Sequence, residues 1–468
     1  MNDLNFYHFR GAEEETVPSV VQTVVVDPTV TELPWYFRNQ LHHGVKELIL
    51  HEGLKVIGES AFRKCGLQRI SIYTTTRVIS TRAFEIATCL ETVEFISPSP
   101  PPPSNGDDAP AATAAAAEGL TVIEEEAFAD CSSLQRIKIP CTVKMMGKHV
   151  FADCTSLVEA NLSESRLKMI SPSAFEGCGS LQATCLPRSV ECIGHFAFGN
   201  CRSLVTVEIP PSVDALVIQG RAFSNCSSLA NIELPENFSS DETCFQGCTL
   251  LEERFVDDDE ELEGFLDDDD ETLDSLQSLG CRIATGLSNR FHFHPIHKLC
   301  YHSSSTTTVE EFRQAVNNLH PAELMAADTF AMTPFHVLCS SVEPRQDLFQ
   351  VWLETYNIPY DCHLPHHQDL LVDRQQDANE KRAMDYLIAN WTPRTAALLE
   401  MAAQRWMLDN LNRWGTTTSR RLDMERQVQN VMDTNNNNKE NRSTLWTKAC
   451  STFELYVKLE SMSILEMA

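Results

Sequence analysis

Three groups of side chains in this chain are of kinds that hold metal ions or move protons. Residues 291–302 read Phe-His-Phe-His-Pro-Ile-His-Lys-Leu-Cys-Tyr-His, and Cys362, His363, His366 and His367 form a second histidine group. Their spacing would accommodate zinc or copper. The third group is the run VDDDEELEGFLDDDDE, with eleven acidic residues between Asp257 and Glu271. Calcium binds clustered carboxylates, but a calcium loop alternates its ligands around a glycine at a set place, and Gly264 is not placed that way. The chain has no phosphate-cradling glycine loop, no Gly-x-Ser-x-Gly and no His-Glu-x-x-His. Paired catalytic carboxylates cannot be picked out of 66 acidic residues by sequence. No catalytic residue, cofactor or metal ligand is therefore assigned, and the chain is read as not an enzyme. A metal- or calcium-responsive binding protein and an enzyme of unrecognised class stand as alternatives.

The thiols have an order that the histidines lack. Cys65, Cys89, Cys131, Cys154, Cys178, Cys201, Cys226 and Cys248 each follow a phenylalanine: Phe62, Phe84, Phe128, Phe151, Phe175, Phe198, Phe223 and Phe245. The shared phrase is Ala-Phe-x-x-Cys-x-x-Leu, with Val150 and Cys244 in place of the alanine in two units. The phenylalanines recur every 22 to 25 residues, with one gap of 44. A period in the twenties marks a solenoid whose units bury their apolar side only against neighbours. Such repetition builds a long contact surface rather than a catalytic pocket. The total of 17 cysteines is odd and contains no Cys-x-x-Cys pair. The expectation is a ladder of buried thiols in a reducing compartment, with disulfides between turns as the alternative.

In the fullest units an isoleucine stands five residues before the phenylalanine. Two alternating apolar residues and a proline close the unit, as in Ile123, Phe128, Cys131, Leu134, Ile137, Ile139 and Pro140. The alternation predicts one short strand per unit, ended by the proline, and Ala-Phe-x-x-Cys predicts a tight helical turn. The phrase resembles the BspA-type (treponemal) class of leucine-rich repeat over residues 21–255. That resemblance implies a parallel-sheet solenoid, an interaction role and, in some members, a secreted or surface adhesin. Pro140, Pro187, Pro210 and Pro235 stand where common plant and animal repeats carry asparagine, and Ser240 replaces the isoleucine before Phe245. The last unit is thus expected to be a degraded cap, and residues 21–37 to cap the other end.

Residues 1–20 read as a tail. The Pro- and Ala-rich residues 97–118 read as a disordered insertion within one unit, and residues 256–272 as an acidic linker. Beyond the linker, Met332-Thr333-Pro334-Phe335-His336 resembles the ankyrin signature Thr-Pro-Leu-His, with weaker echoes at His294–His297 and Arg382–Leu387. Residues 273–400 are read as an ankyrin-like helical region, in which the resemblance assigns His297 and His336 to bracing turns. Residues 401–468 are read as C-terminal helices with an Asn-rich loop, ending on an apolar face as a chain cut short would. The fold class is an α/β solenoid: a leucine-rich-repeat parallel-sheet solenoid plus an all-α ankyrin-like C-terminal region. The whole arrangement resembles the leucine-rich-repeat/ankyrin-like families abundant in diatoms.

The net charge of −29 disfavours binding to phosphate backbones or anionic membranes, and no segment is apolar for long enough to span a bilayer. The residues at the start lack the basic-then-apolar order of a secretory signal. The chain is expected to be a cytoplasmic monomeric scaffold that binds protein partners, with the nucleus as the alternative location. The contact surface follows from alternation along the strands. The outward pairs are Arg69 and Ser71, Thr92 and Glu94, Arg136 and Lys138, Glu159 and Asn161, Ala183 and Cys185, Thr206 and Glu208, Asn231 and Glu233. Arg136 and Lys138 are expected to form a basic spot on this face, facing an acidic patch on a partner or the chain's own acidic linker.

Overall fold

The computed structural model divides into two compact units, Met1–His294 and Pro295–Ala468. It describes residues 6–97 (except 14, 36, 42 and 43), 119–256, 282–302, 307–318, 326–355 and 376–389 (except 382), with 394, 395, 397, 398 and 401. The acidic run, the group Cys362 to His367 and the expected C-terminal helices beyond 401 lie outside the described residues. So does the Pro- and Ala-rich insertion from 98 onward.

The first unit is a parallel-stranded solenoid. Its long sheet has ten strands in chain order, each paired in parallel with the equivalent strand of the neighbouring turns. They include Glu47–Ile49, Arg69–Tyr73, Thr92–Ile96, Arg136–Lys138, Glu159–Asn161, Ala183–Cys185 and Thr206–Glu208. Ile70, Val93, Ile137, Ala160, Thr184 and Val207 occupy the inward position of successive strands and are buried. The sheet starts earlier than the repeat phrase does. Phe6–Phe9 is its first strand, so the expected tail is in part the first turn of the solenoid. Phe9 is fully buried there against Phe37, with ring centroids 4.6 Å apart. Gln40 fastens the segment by donating to the carbonyls of Ala12 and Glu13, both at 2.9 Å.

Each unit contains a second strand that the sequence pattern does not reveal. Val56–Ile57, Val78–Ile79, Val122–Ile123 and Met145–Met146 pair in one row, starting from Glu32–Leu33. Met169–Ile170, Cys192–Ile193, Ala215–Ile218 and Asn237–Ser240 pair in another. From Phe62 to Phe223 the residue five before the phenylalanine, an isoleucine except for Met146 before Phe151, is the buried member of this strand. Two residues are too few to show an alternation, which is why one strand per unit was expected.

The Ala-Phe-x-x-Cys segment is not a helical turn. The residues two before and two after the phenylalanine take left-handed backbone angles, as at Glu126 (φ 55°) and Asp130 (φ 58°) around Phe128. After Phe175 the second position is Gly177 (φ 76°), the residue that adopts this conformation at least cost. The two kinks turn the peptide groups along the stack. The Phe128 N–H donates to the Val150 carbonyl, and the Phe175 N–H to the Ala197 carbonyl, each at 2.8 Å in the next turn. The turns therefore form a third hydrogen-bonded ladder beside the two rows of strands. A left-handed residue other than glycine costs about 1–2 kcal/mol, and the inter-turn hydrogen bonds offset it.

Inside, the phenylalanines stack face to face. Centroid separations run 4.8, 4.9, 5.3, 5.3, 5.3, 5.4 and 5.5 Å from Phe62 to Phe245, with planes within 16° of parallel. The stack passes the 44-residue gap without a break. Thr74 receives the chain on both sides of the insertion: its N–H donates to the Ile96 carbonyl, and its carbonyl accepts from the Leu120 N–H, both at 2.8 Å. At the far end the helix Thr249–Val256 buries Leu250 and Leu251. Ile283, Ala284, Leu287 and Phe291 are buried beyond it, and the Leu234 N–H bonds the Leu287 carbonyl at 3.3 Å. Residues 282–294, which the sequence reading groups with the helical region, belong to the first unit.

In the second unit the helices Pro295–Tyr301, Pro334–Cys339 and Ala383–Ala389 pack side by side in that order, and Val309–Asn317 packs on Gln346–Thr355. Thr333 caps the helix Pro334–Cys339. Its hydroxyl accepts from the His336 N–H, and His336 Nδ1 accepts from the Thr333 N–H at 3.2 Å. Pro334 fits the first helical position because its missing N–H would have had no partner there.

Candidate functional site

The strand register arranges the outward side chains of the long sheet in two columns. One runs Glu47, Arg69, Thr92, Arg136, Glu159, Ala183, Thr206 and Asn231. The other contains Ile49, Ser71 and Glu94, and further on Asn161, Cys185 and Glu208. The alternation thus placed the expected residues on one face. It did not show that one end of this face is closed.

Arg69, Glu94 and Lys138 are exposed, and Ser71, Thr92, Arg136 and Glu159 are half-buried. Asn161 is 3% exposed, Thr206 1%, Glu208 4%, Asn231 1% and Glu233 9%. These last five do not present an open surface, which corrects the expectation of a face exposed along its whole length. Part of the reason is steric: Ala183, Cys185 and Thr206 are short and lie low between their neighbours. Part is a cover on the final turn, where the buried guanidinium of Arg290 donates to the Ala230 carbonyl. Arg290 lies 60 residues from Ala230 in sequence, so no local pattern reveals the contact.

The basic spot at Arg136 and Lys138 is also corrected. Arg136 Nε lies 3.6 Å from a Glu159 carboxylate oxygen in the next strand, and Lys138 Nζ 2.9 Å from Glu164. Both cations are thus paired with carboxylates of the next turn. The open part of the face is a mixed surface that includes Glu47 and Ile49, neither of which the sequence reading singled out; Ile49 is 42% exposed. Their signal was the strand Glu47–Ile49, whose unit lacks the cysteine phrase.

Two histidines of the helical unit have structural roles. His336 belongs to the Thr333 cap, and the ring Nε2 of His297 contacts the Met332 carbonyl at 3.0 Å. Among the described residues no three His, Cys, Asp or Glu side chains converge as metal ligands would. In the second unit a polar depression is lined by Glu343, Arg345, Asp347 and Arg394, where Arg345 pairs with Asp347 at 2.6 Å and Arg394 with Glu343 at 3.9 Å.

The repeat cysteine has a task that the sequence did not disclose. Its Sγ donates to the carbonyl of the phenylalanine one turn earlier: Cys131 to Phe84, Cys154 to Phe128, Cys178 to Phe151, Cys201 to Phe175, Cys226 to Phe198 and Cys248 to Phe223, at 3.0–3.3 Å. Burial pushes the thiols of Cys201, Cys226 and Cys248 well above the ordinary range, and that of Cys65 up to about 11. Cys89, five residues after its phenylalanine, is exposed and outside this ladder.

With this geometry in hand, comparison with known proteins is direct. The BspA type leucine rich repeat region matches in six copies, over residues 35–99, 112–217 and 168–259. Over these residues the repeats are similar to BspA-type leucine-rich repeats. Among solved structures, the chain is similar to the leucine-rich-repeat protein of T. pallidum, with 25% identity over 44% of this chain and 78% of that one and a TM-score of 0.32. It is similar to the pneumococcal vaccine antigen PcpA, with 20% identity over 52% and 63% of the two chains and a TM-score of 0.30. A leucine-rich cell surface protein from Faecalibacterium prausnitzii A2-165 gives 26% identity over 47% and 60%, with a TM-score of 0.27. No curated protein matches the chain. No helix among the described residues is long and apolar enough to cross a membrane.

Proposed function

We propose that this protein is a non-enzymatic protein-interaction scaffold that holds its partner on the open part of the long sheet, from Glu47–Ile49 to Glu159. The observation that carries this reading is the mixed array of exposed Glu47, Ile49, Arg69 and Glu94, with half-buried Ser71 between them, on successive parallel strands in register. Five strands at about 4.8 Å spacing span about 20 Å, within the scale of one side of a standard protein interface. Charges of both signs around an exposed isoleucine suit a folded protein surface rather than a polyanion.

The thiol ladder supports a reducing compartment, because each of the six Sγ atoms donates its proton to a main-chain carbonyl, a role that requires the thiol form. The helical unit is read as an ankyrin-like array that adds to the scaffold. Two loops of the same form support this. Asp328 accepts from the N–H groups of Phe330 and Met332 before left-handed Ala331 (φ 56°), and Asp377 accepts from those of Asn379 and Lys381 before left-handed Glu380 (φ 58°). The Ala378 N–H ties the second loop to the Phe330 carbonyl of the first at 2.9 Å.

The test uses the full chain with Arg69→Glu and Glu94→Lys together. A photocrosslinking side chain at Ser71 reports what lies on the face. The expected result is a discrete covalent adduct in cell extract, reduced at least roughly tenfold by the double charge reversal, with an unaltered denaturation midpoint. An adduct of unchanged yield in the double variant would place the contact elsewhere.

A further inference from the structure

The second row of strands presents a surface of its own. Its inward residues, Leu33, Ile57, Ile79, Ile123 and Met146, are buried in the core, so its other residues face out. After Glu32 of the first strand, these are in register Val56, Val78, Val122 and Met145. Met145 is 64% exposed and the three valines are half-buried, giving an apolar row along the solenoid axis. One residue upstream, at the corner, stand Lys55, Arg77, Thr121 and Lys144. They are joined in succession by backbone hydrogen bonds: Arg77 N–H to the Lys55 carbonyl at 2.7 Å, Thr121 to Arg77 at 3.0 Å and Lys144 to Thr121 at 2.9 Å. Three of these four carry positive charge in a chain whose net charge is −29. On the downstream side Gly58, Ser80 and Gly147 keep the border of the row low in three of the four turns.

We infer that this row is a docking surface for an acidic amphipathic helix of a protein partner, lying along the solenoid axis. The polarity follows from the cations beside the apolar row. The helical form follows from spacing. Successive turns of the solenoid repeat at about 4.8 Å, and an α-helix presents one side of itself every 5.4 Å or so. Across three intervals the two differ by about 2 Å, less than half a turn of the solenoid. An extended strand places same-face side chains about 6.7 Å apart and is out of step by more than one turn over the same distance. The surface is separate from the long-sheet face proposed above, so each can fail without the other.

The experiment titrates the full chain with a fluorescent synthetic helix of roughly five turns, with leucine on one stripe and glutamate on its flanks. A control helix has lysine in place of every glutamate. The glutamate helix should bind and the lysine helix should not, and raising the salt from about 0.05 to about 0.3 M should weaken binding. Met145→Glu, at an exposed position, and separately Lys55→Glu with Lys144→Glu, should each weaken binding at least roughly tenfold while leaving the denaturation midpoint in place. Equal binding of both helices, or unchanged binding in the Met145 variant, would overturn the assignment. Should the lysine pair destabilise the fold, Lys144→Glu alone provides the same reading on an exposed residue.

Discussion

Phe175→Ala isolates the term that holds the turns together. Phe175 is fully buried, with Phe151 and Phe198 each 5.3 Å away and planes tilted by 10° and 2°. Its main chain keeps its partners in the variant: the N–H donates to the Ala197 carbonyl, and the carbonyl accepts from Cys201 Sγ at 3.1 Å. Only the ring is lost. Truncation of a buried phenylalanine costs about 3–5 kcal/mol, of which each stacked neighbour accounts for about 0.5–1.5 kcal/mol beyond area burial. Among the described residues Phe245, at the end of the stack, has a single ring neighbour in Phe223 at 5.5 Å. Phe245→Ala should therefore cost about 1 kcal/mol less than Phe175→Ala. Stability in such an array is close to a sum over neighbouring turns. The central variant should also weaken the coupling between the two halves, and its unfolding transition should broaden with a lower denaturant slope. Urea denaturation followed by circular dichroism reads both quantities. A loss below about 1 kcal/mol for Phe175→Ala, or an equal loss at Phe245, would refute the stacked-ring account.

Thiol chemistry supplies a second check: in the native protein a thiol reagent should label the exposed Cys89 and Cys141 quickly, while the buried Cys201 and Cys226 wait for unfolding. The same burial predicts a pH dependence. Cys201, Cys226 and Cys248 have folded pKa values raised by desolvation, so their stabilising contribution is complete below the unfolded thiol value of about 8.5 and is lost as pH rises above it, at roughly 1.4 kcal/mol per pH unit for each thiol. Denaturation midpoints measured from about pH 8 to 10 should fall accordingly, and Cys201→Ala with Cys226→Ala should flatten the fall; an unchanged slope in that variant would count against the linkage. In the helical unit Thr333→Ala removes the acceptor for the His336 N–H and should lower that unit's stability by about 1–2 kcal/mol, read from its thermal transition.

What could be read from the chain follows the range of each interaction. The phase of Phe62 to Phe245 was legible because every turn repeats the same burial, and the rings stack in that order. The left-handed kinks were not, because Lys64, Ile86, Glu126 and Phe196 occupy them and none of these residues marks the conformation as glycine would. Inter-turn hydrogen bonds impose it, and those bonds exist only once the turns are stacked. The first turn escaped notice because Phe6–Phe9 lacks the cysteine phrase while filling the same place in the sheet.

The contact face shows the same division between periodic and non-periodic information. Alternation correctly aligned Arg69, Thr92, Arg136 and Glu159 in one column, because it is a property of each strand alone. Exposure is not such a property. Whether Thr206 or Asn231 meets solvent depends on what covers the turn, and the cover includes Arg290, which no repeat encodes. Charge is likewise decided outside the strand: Lys138 is paired with Glu164, a corner residue of the following turn. A repeat array therefore specifies where its columns of side chains run, whereas irregular segments at its ends and corners decide which part stays open. Here that leaves the strands from Glu47 to Glu159 as the part of the long sheet on which a charge reversal at Arg69 and Glu94 can act on binding without acting on the core.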